Sequence, residues 1–182
     1  APCLKLIQAG EETDAGDFPG SSGPAGASEP KLQRLQLSGT AVFKGDKLAG
    51  WLNNPETRGL LWVLGKVQSG MVIVKCPGDE NNLASLEQLR LISKIKPEKR
   101  GQKIIITVEI YTESNLVDQQ GTQDITTPES LRSLERRQAT VVKNEISAAL
   151  EKARQYEADI FGFGEAIGRK FPREWRELEG RW

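Results

Sequence analysis

Histidine is absent from this chain of 182 residues. That removes the commonest general base and the commonest zinc ligand, so neither a Ser-His-Asp triad nor a histidine-bearing metal centre can be built from it. Cysteine is almost absent. Cys3 and Cys76 are too few for a four-thiolate zinc site, and the sequence leaves open whether they form a disulfide or stand as separate thiols. A surplus of charge is lacking as well: 25 Lys and Arg balance 25 Asp and Glu. A general nucleic-acid binder would carry a basic excess. No apolar run approaches the roughly 18–20 residues that cross a bilayer as a helix. No basic-then-apolar leader opens the chain. It begins in Ala1-Pro2-Cys3-Leu4, which reads as the interior of a longer protein. The missing leader is therefore no guide to where the parent resides.

What is present suits one domain over residues 1–182. Leu4 and Leu6 alternate with polar neighbours and predict a short strand. Residues 10–30 change character: from Phe18 to Pro30 the chain is rich in Gly, Pro, Ser and Ala, has little to bury, and reads as a flexible loop. Leu35, Leu37, Ala41 and Phe43 fall at period two and predict a strand. Gly45-Asp46 then turns it into a hairpin with Lys47–Leu52. Asn54-Pro55-Glu56 is a helix start, with Asn54 as the cap and an apolar face running from Leu60 to Val67. Gly59 and Gly65 weaken that helix. At such a site glycine either lets another backbone approach or is simply tolerated.

Met71–Lys75 is a short strand closed by Cys76-Pro77-Gly78, and residues 79–83 read as a polar turn. Over residues 86–95 helix and strand compete, and strand is favoured because Ile92–Ile95 lead into a turn at Pro97–Gly101. Lys103–Thr112 is the clearest strand, with Ile104, Ile106, Val108 and Ile110 on one face. Thr126-Thr127-Pro128-Glu129 opens a helix of about thirty residues, near 45 Å long at 1.5 Å per residue. The expected class is α+β: a mainly antiparallel twisted sheet of about four to six strands, packed against the long C-terminal helix and shorter ones.

That helix runs into Asp159-Ile160-Phe161-Gly162-Phe163-Gly164. Two glycines two residues apart, flanked by aromatic rings, mark a stop and a turn, with Asp159 expected to cap or bridge it. The string Gly162 to Gly168 has a passing likeness to a dinucleotide fingerprint. It follows a helix, however, where that motif needs a buried strand before it. The carboxylate pairs Glu11-Glu12 and Glu109 with Glu113 read as solvated surface charge rather than an acid/base couple. Trp51, Trp62 and Trp175 read as packing residues. Arg169, Lys170, Arg173 and Arg176 make the tail basic; a solvated helix face is the first reading, docking onto anionic lipid headgroups the second. No cofactor or metal is called for.

Gly39–Leu52, Glu56-Thr57-Arg58-Gly59-Leu60-Leu61-Trp62, Gly65-Lys66-Val67, Asp159–Gly164 and Pro172-Arg173-Glu174-Trp175 together resemble the C-terminal domain of the C subunit of spore germinant receptors, from about Leu35 to Trp182. The resemblance implies a parent lipoprotein of an endospore-forming bacterium. It would be anchored by a lipidated cysteine well upstream, on the outer face of the spore's inner membrane, beside two integral-membrane subunits. The assembly would let dormant spores respond to nutrients. The resemblance carries no catalytic residue. Cys3, with no apolar signal before it, does not match the lipidated position.

The leading expectation is thus a non-enzymatic, monomeric receptor-assembly domain, acting through protein–protein contacts and not on nucleic acid. The alternatives are direct capture of a small nutrient and, further off, an enzyme acting on cell-wall glycan. Glu56, Arg58, Gly59, Asp159, Gly162, Gly164 and Trp175 are the candidate structural or partner-contact residues.

Overall fold

The computed structural model describes the backbone of residues 2–7 and 34–182, with side chains from residue 38 onward. The loop expected at 10–30 lies outside the described residues. So does the Cys3 side chain, and with it the question of a disulfide. The Cys76 thiol is buried, its Sγ 3.8 Å from the Gln120 carbonyl oxygen.

Among the described residues six strands form, and they divide between two antiparallel three-stranded sheets. The first contains β1 (Pro2–Ile7), β2 (Arg34–Lys44) and β3 (Lys47–Leu52) in that order. Gly45 makes the β2–β3 turn at φ +63°, a conformation that costs glycine nothing. The helix α1 (Asn54–Val63) follows. The second sheet contains β4 (Met71–Cys76), β5 (Asp79–Arg100) and β6 (Lys103–Gln119). Then come the long α2 (Pro128–Gln155), two short helices α3 (Phe163–Lys170) and α4 (Pro172–Leu178), and a closing turn of 3-10 helix at Glu179–Arg181.

The local reasons differ from expectation at four places. The α1 cap is Asn53, one residue early: its side chain accepts from the Glu56 N–H (2.9 Å), while the Glu56 carboxylate accepts from the Asn53 N–H (2.8 Å). This reciprocal capping box leaves Asn54 free to bind the other way, accepting from Ser38 Oγ (2.8 Å) and the Gly39 N–H (3.1 Å). The helix ends at Val63 rather than Val67, because Gly65 at φ +67° terminates it. Residues 79–83 are strand, since the two-residue turn at Pro77-Gly78 suffices to reverse the chain. Pro97 also lies within a strand, opposite Ile106. β4 pairs with β5 only as far as Glu87, so beyond it β5 has one open edge, where the missing proline N–H leaves no ladder bond broken.

Two apolar clusters meet along α2. One gathers Val72, Val74, Ala84 and Leu86 from the second sheet with Trp62, Leu134 and Val142. The other gathers Val42 and Leu52 from the first sheet with Leu60, Val63, Ala149, Ala153 and Phe161. Both α1 and α2 contribute to both clusters, so the helix pair is the wall the two sheets share. No helix among the described residues is long and apolar enough to cross a membrane.

Candidate functional site

Two polar assemblies hold the residues singled out in the sequence. The first is at the α1–α2 crossing. Gly59 faces the α2 backbone so closely that an added Cβ would collide with the Glu145 carbonyl and lie 3.0 Å from the Ala149 Cβ. One residue away, Arg58 wraps that contact: its Nε lies 2.9 Å from both Glu145 carboxylate oxygens, its Nη2 pairs with Oε1, and its Nη1 donates to the Met71 carbonyl (3.1 Å). The Trp62 indole N–H donates to the other face of the carboxylate (2.8 Å). Trp62 is fully buried and the Glu145 side chain is 9 % exposed, against 38 % for Arg58. A buried carboxylate is thereby matched by a forked cation and one neutral donor.

Next to it, Gln88 and Gln138 are buried. Gln138 Nε2 donates to Ser114 Oγ (2.7 Å), whose hydroxyl donates to Gln88 Oε1 (3.2 Å). Gln88 Nε2 donates to the carbonyls of Arg90 and Glu113, across the shift in register between Gln88 and Arg90. These amides absorb the backbone groups a bulge frees.

The second assembly is the turn after α2. The Asp159 carboxylate accepts from the backbone N–H groups of Phe163 (2.9 Å) and Gly164 (2.6 Å), and from the Trp182 indole (3.1 Å). It lies at the N-terminal end of α3, where a carboxylate also complements the helix dipole. Gly162 is the left-handed residue there, at φ +72°. Gly164 and Gly168 have no side chain because the Trp175 ring covers both; at Gly168 an added Cβ would meet Trp175 Cδ1 at 3.1 Å. Phe161 and Phe163 stack at 5.0 Å between centroids, with Phe161 in the core.

Glu56, Arg58 and Gly59 therefore converge on one helix, and Asp159, Gly162, Gly164 and Trp175 on the other turn. The sequence reading missed Glu145, Gln138, Gln88, Asn53 and Trp182. One signal was available: Gln138 and Glu145 interrupt the apolar stripe Leu134, Val142, Ala149, Ala153 at helical spacing. Among the described residues, every buried side-chain polar atom has a partner, and no cluster could hold a metal ion. Glu109 bonds Lys96 (2.6 Å), and Glu113 faces Arg90 (3.8 Å).

Clefts open along β6, whose outer edge has no partner strand among the described residues, and two of them bear on function. One, of about 610 Å³, separates β6 from α2 and is lined by Val108, Ile110, Gln138, Val142, Lys143 and Ile146. The other, of about 800 Å³, lies under α4, with Ile104, Ile106 and Ile167 as its floor. There Lys99 bonds Glu174 (2.6 Å), which holds the Glu174 carboxyl below the ordinary carboxylate range.

The fold and these assemblies define an α+β domain whose polar groups brace its helices and turns. Comparison with known proteins places it further. Residues 38–182 match the family described as "Spore germination B3/ GerAC like, C-terminal", and the chain belongs to that family. It is 28 % identical over 157 residues to spore germination protein KC of Bacillus subtilis, covering 86 % of this chain and 38 % of that protein. It is 29 % identical over 151 residues to spore germination protein YndF of the same organism, covering 81 % and 37 %. The crystal structure of the GerBC protein shares the fold, with a TM-score of 0.70 and 23 % identity, covering 82 % of this chain and 47 % of that one. The chain thus spans about two fifths of the length of the curated relatives it matches.

Proposed function

We propose that this chain is the C-terminal domain of the C subunit of a nutrient germinant receptor, and that it works by contact rather than by catalysis. The parent would be lipid-anchored at the outer face of the spore inner membrane, bound to two integral-membrane subunits. The supporting observation is the family match over residues 38–182, taken with relatives named as spore germination proteins. The polar assemblies agree with it. Buried Glu145, with Arg58, and the exposed Asp159 are engaged in bonds that hold helices and a turn, which supports a structural role for them. On this reading Glu56, Arg58, Gly59, Asp159, Gly162, Gly164 and Trp175 shape the surface that partners grip, and residues 1–182 act as one domain.

Deleting this domain from the parent gene tests the reading. Spores should lose nutrient-triggered germination and keep receptor-independent germination. An unchanged nutrient response would refute it. A second reading, direct capture of a small nutrient, is favoured by the cleft between β6 and α2, whose volume of about 610 Å³ falls within the range of small-molecule pockets. Calorimetry on the isolated chain decides between them: millimolar or tighter binding of an amino acid or sugar supports capture.

A further inference from the structure

Charge in this protein is balanced overall but not in space. Residues 94–103 and 165–182 carry ten basic and five acidic side chains, against twelve basic and fifteen acidic on the other residues from 38 onward, whose side chains the structure describes. The fold brings these two segments to one end. Lys170 Nζ donates to the Pro97 carbonyl (2.7 Å), Lys99 bonds Glu174 (2.6 Å), and both segments line the 800 Å³ cleft at the tip of the β5–β6 hairpin.

Within that cleft the pairing is incomplete. Lys99 is neutralised by Glu174 and a second lining carboxylate, Glu177, offsets one further charge, while Lys103, Arg173 and Arg181 form no ion pair with any described residue. All three side chains are exposed. Between them lies an apolar floor of Ile104, Ile106 and Ile167, and Trp182 stands at the rim, 52 % exposed. Its indole N–H is tethered to Asp159 (3.1 Å), so the ring is held where it is. Cations around an apolar floor with a fixed indole match the layering of a bilayer surface, phosphate outside and hydrocarbon beneath.

We propose that this end of the molecule is a docking surface for anionic phospholipid headgroups. A flat anionic surface would meet the basic tip first, and most of the described acidic side chains lie outside the two segments that form it. A long polyanion would have to run along that acidic remainder as well, which disfavours nucleic acid. The inference stands on the cleft and not on the germination reading: a chain that binds vesicles but plays no part in germination leaves it intact.

The test is co-sedimentation of the purified chain with vesicles of phosphatidylcholine alone and of phosphatidylcholine mixed with phosphatidylglycerol. Binding is expected only to the mixed vesicles, and it should fall as salt is raised. The triple variant Lys103→Gln, Arg173→Gln, Arg181→Gln should bind roughly a hundredfold less, down to background, from the usual contribution of each basic residue near an anionic surface. The matched variant Lys47→Gln, Arg132→Gln, Arg136→Gln, which removes the same charge from exposed positions on β3 and α2, should bind as the parent does. Three results overturn the proposal: equal binding to both vesicle types, equal loss in both triple variants, or tighter binding of poly-glutamate than of mixed vesicles. The last would assign the cleft to an acidic protein.

Discussion

Replacing Gly59 with alanine sets two physical effects against each other with opposite signs. Considered as an isolated helix, α1 should gain about 1 kcal/mol, since alanine is the better helix former by that amount. Considered in the fold, the new methyl group has no room. It would strike the Glu145 carbonyl and press on the Ala149 Cβ at 3.0 Å. A backbone carbonyl cannot rotate away, so the helices must part. Parting them also stretches the Arg58–Glu145 and Trp62–Glu145 bonds that cross the same gap. Overpacking in a close-packed interior costs roughly 1–3 kcal/mol, and a rigid obstacle puts this site at the upper end. The net expectation is a loss of about 2 kcal/mol, or about 4–8 °C in Tm for a chain of this size. Gly180→Ala is the control, because nothing lies within 4 Å of its added Cβ; it should leave Tm unchanged. Thermal denaturation followed by circular dichroism reads both. A Gly59→Ala protein melting at or above the parent temperature would sink the claim that close helix approach, and not tolerance, explains this residue.

Glu145→Gln should lose about 2–3 kcal/mol in urea denaturation, since a carboxamide keeps one accepting oxygen and must turn its N–H toward either the Trp62 indole or Arg58 Nη2, both of them donors. The charge part is small because Arg58 is 38 % exposed; a loss below roughly 0.5 kcal/mol, the range of ordinary surface changes, would contradict this account. Gly162→Val should lower stability by roughly 1–2 kcal/mol through backbone strain alone, because φ is +72° and no atom lies within 4 Å to clash. An unchanged Tm would refute the left-handed requirement.

Much of the architecture was legible because it rests on short-range pattern. The alternation of Ile104, Ile106, Val108 and Ile110, the Thr127-Pro128 helix start and the Gly45 turn each need only a few neighbours to be read, and each forms as expected. Asp159 was read as a turn cap from its place before the two glycines, and its carboxylate bonds the Phe163 and Gly164 N–H groups. The division into two sheets was not legible, since it depends on α1 inserting between β3 and β4 and turning the chain away. Pro97 read as a turn because its tolerance in a strand depends on where β4 stops pairing. Glu145 went unmarked, because its partners Arg58 and Trp62 are more than eighty residues away. Asn53 and Asn54 are equally good caps by type, and Pro55 fits the first turn after either one.

α1 and α2 each contribute residues to both apolar clusters. Loosening either sheet bares part of the helix pair that also covers the other. Melting is consequently expected as one transition across both halves, with the two-helix pair coupling the β5–β6 hairpin to β2 and β3. Strength in such a body comes from the joint and not from either flank.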